Sequence, residues 1–290
     1  MPPYTTLVGA VSPGLDRMML GVMTGLALIW GGLFMFQDHL LYFPASAPLA
    51  EVVVEARRDG LEPWPDASDF RGLLREPRTA ARGTLVFFHG NAGHAGDRGW
   101  VAQALADVGL RVILAEYPGY GPRPGQPAEA LLVRDAAETL ARVREQFPGP
   151  LLVAGESLGA GVAAAVAEKS PGDLSGLLLI TPWDSLKQVA HHHYPWAPVD
   201  LLLRDRYDNI ANLAGFRGPV AVVIAGQDSI VPAPFGQALF VSRLASPASR
   251  AARCVATLSR LQTPTIGKMF LTKETHHARH QQVSGQPAAG

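Results

Sequence analysis

One cysteine, Cys254, stands in 290 residues, so no disulfide can close within the chain and cysteine usage says nothing of the redox compartment. Net charge is missing as well. Twenty-five Lys and Arg offset 25 Asp and Glu, which removes the overall field that would draw nucleic acid to the protein. There are no repeats and no low-complexity tracts. Metal-ligand spacing is also wanting. The run His191-His192-His193 is consecutive, and consecutive residues cannot all face one ion on a helix or strand, so it reads as polar surface. No cofactor motif appears either. What the chain has in quantity is apolar residues, 48% against 17% charged. That suffices for a sizeable core in one large α/β domain or two small ones.

The apolar residues are not evenly spread. Met18 to Phe36 carries no charge and matches the roughly 20 residues a helix needs to cross a bilayer core. Trp30 and Tyr42 lie towards its far side, where amphipathic rings favour the membrane interface. A cleaved signal peptide would need Ala45-Ser46-Ala47 as its site, far beyond the apolar run and directly before Pro48. A buried core helix would precede every strand and has no polar face. The reading is an uncleaved anchor over residues 1–45. Arg17 before the span and Asp38 after it put the amino terminus inside and the large domain, residues 46–290, on the outer side.

Beyond the anchor, strand and helix patterns alternate. Glu51 to Arg57 and Asp69 to Leu74 read as the first strands, and Thr84 to Phe88 as a buried one running into His89-Gly90-Asn91-Ala92-Gly93. Asp97 to Val108 follows as a helix with Trp100, Ala104 and Val108 on one face. Arg111 to Ala115 is a strand, and a long helix after Pro127 carries Leu132, Ala136, Leu140, Val143 and Phe147 at helical spacing. Leu151 to Ala154, Leu174 to Ile180 and Val220 to Ala225 are further buried strands. This alternation predicts a mostly parallel central sheet with helices on both faces. Thr181 to Phe216 interrupts the rhythm and reads as a small cap over the carboxyl edge.

Gly155-Glu156-Ser157-Leu158-Gly159 lies between an apolar strand and a helix of small residues. That is the context of a nucleophile elbow, in which a sharp turn lifts a serine hydroxyl above the sheet edge. A serine hydroxyl is a weak nucleophile until an oriented base takes its proton. The expected order is serine, acid, histidine. Asp228, just past the strand ending at Ala225, is the expected acid, with Asp184 the weaker alternative. Leu158 N–H and a second N–H at Asn91 would form the oxyanion hole, and His89 would brace that loop.

The uncharged start, HGNAG, EYPGYG, GESLGAG, TPWDSL, YPWAPVDLLLRDRYDN and GQDSIVP together resemble the membrane-anchored α/β-hydrolases, a group similar to lysophospholipid lipases, protein depalmitoylases and serine aminopeptidase-like hydrolases. The resemblance covers about residues 25 to 240. It implies an α/β-hydrolase fold with Ser157 as nucleophile, Asp228 as acid and the segment after Thr181 as cap. It also implies cleavage of an ester or thioester in a small-molecule or lipid-like acyl substrate, without a cofactor. Peptidase action on short peptides stays open. The tail, residues 241–290, departs from the family. Val241 to Arg260 holds no histidine, and Glu274 is the one acidic residue after Val241. Thr265 to Thr272 reads as a last strand delivering His276 as the base, with His277 and His280 as runners-up. If the tail is foreign to the fold, no base is present and a non-catalytic binding protein remains.

Overall fold

A computed structural model describes residues 13–169, 172–245 and a strand at 253–258. Among these, an eight-stranded sheet forms the centre. In chain order its strands are β1 (Glu62–Trp64), β2 (Gly72–Arg75), β3 (Thr84–Phe88), β4 (Arg111–Ala115), β5 (Leu151–Glu156), β6 (Gly176–Ile180), β7 (Val220–Ala225) and β8 (Arg253–Leu258). They lie in the order β8-β7-β6-β5-β3-β4-β2-β1. From β8 to β4 all pairs are parallel, while β4–β2 and β2–β1 are antiparallel. Parallel neighbours require crossovers, and the helices supply them. Those named here are α1 (Pro13–Leu41), α2 (Leu49–Arg58), α3 (Gly99–Ala106), α4 (Glu129–Gln146), α5 (Leu158–Lys169), α6 (Leu186–His193), α7 (Val199–Leu202), α8 (Asn209–Leu213) and α9 (Ala233–Ala245).

Because successive side chains on a strand point to opposite faces, an unbroken apolar strand feeds two cores at once. On β3, Val86 and Phe88 face α4 and α5 through Leu132, Ala136, Val162 and Val166. Leu85 and Phe87 face α2 and α3 through Val52, Ala56, Val101 and Leu105. The long helix after Pro127 buries Leu132, Ala136, Leu140 and Val143, the stripe read from its spacing.

Two local expectations are corrected. Glu51 to Arg57 is not a strand but lies within helix α2. Its three valines favour strands, yet Val52 and Ala56, four apart, are the residues it buries. Pro48 before the first turn, Glu51 within it and Arg57-Arg58 at the far end all suit a helix. On α3 the buried face is Val101, Ala102, Leu105 and Ala106, while Trp100 stays exposed. Two apolar stripes fit the helical period there, and the sheet accepts the one with smaller side chains.

The apolar run of α1 is unburied, and only its end, at Leu41, packs against the core. Met18, Leu20, Leu28 and Met35 are all exposed, which removes the buried-helix reading. The helix is long and apolar enough to cross a membrane. The strand beside β7 is Arg253–Leu258. Thr265 to Thr272, expected as the last strand, and His276, His277 and His280 lie outside the described residues.

Candidate active site

Ser157 connects β5 to α5 in one residue, with φ at 51°, a left-handed conformation that costs a non-glycine residue energy. Its N–H donates to the Ile180 carbonyl at 2.9 Å, and its carbonyl accepts from Ala160 N–H at 2.8 Å. The turn is therefore pinned to β6 on one side and to α5 on the other. Two glycines permit it. A Cβ on Gly155 would lie 2.0 Å from the Gly159 carbonyl oxygen, and one on Gly159 would lie 2.0 Å from the Phe88 carbonyl oxygen. Strand, helix and the end of β3 thus meet backbone to backbone around the serine. Leu158 opens α5, and a first-turn N–H has no partner within its own helix.

The HGNAG loop leaves β3 beside this turn and is held from several directions. His89 is buried, with Nδ1 2.7 Å from the Gly90 carbonyl and Nε2 3.0 Å from Glu116 Oε1. Both ring nitrogens therefore face acceptors within the loop's own support. Glu116 Oε2 accepts from Ala95 N–H at 3.0 Å. The Tyr117 hydroxyl donates to the His89 carbonyl at 2.9 Å. Burial pushes the Tyr117 and Tyr120 phenols well above their ordinary range, so both stay neutral. Asn91 uses its side chain to tie the loop to the segment after α1. Its Oδ1 accepts from Phe43 N–H and from the Tyr120 hydroxyl, both at 3.1 Å, and its Nδ2 donates to the Leu41 carbonyl.

Asp228 follows β7 on the same sheet edge, with β6 between it and the strand of Ser157. Strands about 4.8 Å apart put the two strand ends roughly 10 Å from one another. Asp228 Oδ1 accepts from Ile230 N–H and Val231 N–H, both at 2.8 Å, which fixes the carboxylate in an Asx turn. Asp184, the weaker alternative, follows the end of β6. Its Oδ1 accepts from Ser185 N–H at 2.6 Å and its carbonyl from Asn209 and Ile210, so it joins β6's end to α8. Burial raises its pKa above the ordinary carboxylate value.

The three histidines at 191–193 go to three partners. His191 Nε2 lies 3.2 Å from Asp200, the His192 ring meets Phe235 edge-on, and His193 Nε2 lies 2.9 Å from the Ile230 carbonyl. Among the described residues no group of three or more His, Cys, Asp or Glu could hold a metal.

The serine aminopeptidase S33 family matches residues 79–204. The uncharacterized protein Rv2307c of Mycobacterium tuberculosis is 37% identical over 238 residues, covering 79% of this chain and 84% of that protein. Of the solved structures, an alpha-beta hydrolase from Vibrio vulnificus superposes with a TM-score of 0.56 at 18% identity, over 69% of this chain and 73% of the other. The chain is an α/β-hydrolase. The matched family model is one of serine hydrolases, and lipases stand among the relatives. The lysophosphatidylserine lipase ABHD12 of Danio rerio is 27% identical, over 54% of this chain and 46% of that protein, so the hydrolase spans under half of that relative.

Three supports of this hydrolase's site escaped the sequence reading. Glu116 was legible as an acid at a strand's carboxyl end, but its contact with His89 crosses 27 positions. Arg98 Nε donates to Glu156 Oε2 at 2.9 Å across 58, beside the nucleophile, and carried no local signal. The Asn91 side chain was read only for its backbone.

Proposed function

We propose that this hydrolase cleaves an ester or thioester of acyl-lipid or acyl-protein type through an acyl-enzyme on Ser157. The observation that carries the reading is Ser157 at φ 51° between two glycines that admit no Cβ. Ser157 Oγ attacks the acyl carbonyl carbon while the base takes its proton, and the carbonyl electrons move onto oxygen. Leu158 N–H and Asn91 N–H stabilise that oxyanion. The tetrahedral species collapses, and the alcohol or thiol leaves with the proton held by the base. Water then attacks the acyl-enzyme with the same base, releasing the acid and restoring Ser157. His276 is the base, delivered by the tail and oriented by Asp228. α1 anchors the enzyme as a single pass, and Arg17 before its uncharged run Met18–Phe36 with Asp38 after that run puts the domain on the outer side.

The acyl substrate is favoured by ABHD12, named a lysophosphatidylserine lipase, and by the apolar helix at the chain's start. The name of the matched family, serine aminopeptidase, favours a peptidase as the second reading. Turnover of a p-nitrophenyl ester compared with an aminoacyl p-nitroanilide tests both. Faster ester cleavage that Ser157→Ala abolishes supports the proposal. Preference for the anilide turns the assignment to the peptidase, and turnover surviving in Ser157→Ala removes the nucleophile.

A further inference from the structure

Resting on the reading of α1 as an anchor, we propose that the cap segment Tyr194–Leu203 is seated in the membrane interface beside that helix. The apolar run of α1 ends at Phe36, and Gln37 and Asp38 are the first polar residues after it. A run of that length crosses the roughly 30 Å hydrocarbon core, so these two residues lie where the core meets the headgroups. Both of them hold the cap. Gln37 Nε2 donates to the Leu202 carbonyl at 3.0 Å, and Arg204 N–H donates to Gln37 Oε1 at 2.9 Å. The Arg204 guanidinium lies 2.7 Å from Asp38 Oδ1 and 5.4 Å above the Phe34 ring. An arginine that pairs with a carboxylate while resting on an aromatic near the end of the span fits this depth, because its stem prefers apolar surroundings and its head water.

The cap backbone at Leu202–Arg204 is thereby fixed at the depth at which α1 leaves the hydrocarbon. The residues beside it are apolar and unburied. Leu201 is 82% exposed, Trp196 60% and Tyr194 46%, with the Trp196 and Tyr194 rings 6.4 Å apart. Indole and phenol rings favour the membrane–water boundary, where one part of the ring is apolar and the other hydrogen-bonds. The one acid within this stretch, Asp200, is neutralised by Lys187 at 3.0 Å. The surface continues to the catalytic edge. His193 contacts the Ile230 carbonyl, and Ile230, 70% exposed, lies two residues from Asp228. The occupant of this face is therefore the bilayer that holds α1.

The test uses the full chain in phosphatidylcholine vesicles, with Cys254→Ser as background and single spin labels at Leu201→Cys, Trp196→Cys, Leu28→Cys and Glu145→Cys. All four positions are exposed, so the labels leave the core intact. Relaxation by oxygen is compared with relaxation by a water-soluble nickel chelate. The expected oxygen-to-nickel ratio at 201 and 196 is several-fold above that at 145 and below that at 28. Ratios at 201 and 196 equal to that at 145, with 28 reading as lipid, overturn the docking and leave the anchor standing. A water-like ratio at 28 overturns the anchor and the docking with it.

Discussion

Gly159→Ala is the sharpest structural test of the elbow. The new Cβ would sit 2.0 Å from the Phe88 carbonyl oxygen and 2.7 Å from the His89 carbonyl oxygen, both backbone atoms. Real Cβ contacts do not fall below 3.0 Å, so α5 and the end of β3 must part by about 1 Å. No flexible side chain can absorb this. The movement separates Ser157 from the loop that carries Asn91, and a 1 Å misplacement costs about 10²-fold in rate. Overpacking itself costs about 1–3 kcal/mol, and each kcal/mol lowers the melting temperature by roughly 2–4 °C in a chain of this size. Gly215→Ala is the control, since no atom lies within 4 Å of its Cβ. The assay is kcat/KM on a p-nitrophenyl ester, with thermal melting followed in parallel. If Gly159→Ala keeps wild-type rate and melting temperature, the close backbone meeting at the elbow is wrong.

Asp184→Asn tests a buried carboxyl. Because burial raises the folded pKa above the unfolded value, ionisation costs stability as pH rises through the folded pKa. The variant should therefore melt higher than wild type near neutral pH, the gain vanishing below about pH 3, where both states are protonated. Its ester turnover should be unchanged if, as proposed, Asp228 is the orienting acid. His276→Ala should match Ser157→Ala in burst kinetics, leaving roughly 10³–10⁴ above the uncatalysed rate. An unchanged rate after removal of everything beyond Lys273 would mean that the tail supplies no base. Full-length protein should resist alkaline carbonate extraction, and deletion of residues 1–37 should release the domain. A soluble, unprocessed full-length chain would contradict the anchor.

The elbow could be read because its motif compresses geometry into adjacent residues: a strand, two glycines around the serine, and a small-residue helix. The parallel sheet was legible for a similar reason, since β3, β5, β6 and β7 are short, continuous and apolar. α2 was not, because three β-branched residues obscured a burial period of four between Val52 and Ala56. Contacts that support the site come from far apart in the chain. Glu116 on His89, Arg98 on Glu156 and Asn91 on Leu41 leave no periodic or local trace. The same holds for Gln37 and Arg204, joined across 167 positions.

The central claim is an acyl-enzyme on Ser157, and a fluorophosphonate tests it most directly. The activated serine displaces fluoride and keeps the phosphonyl group, which peptide mass spectrometry locates. The account predicts one adduct on the peptide containing Ser157 in wild type and none in Ser157→Ala. Equal labelling of the two proteins, or an adduct on another serine, would contradict it.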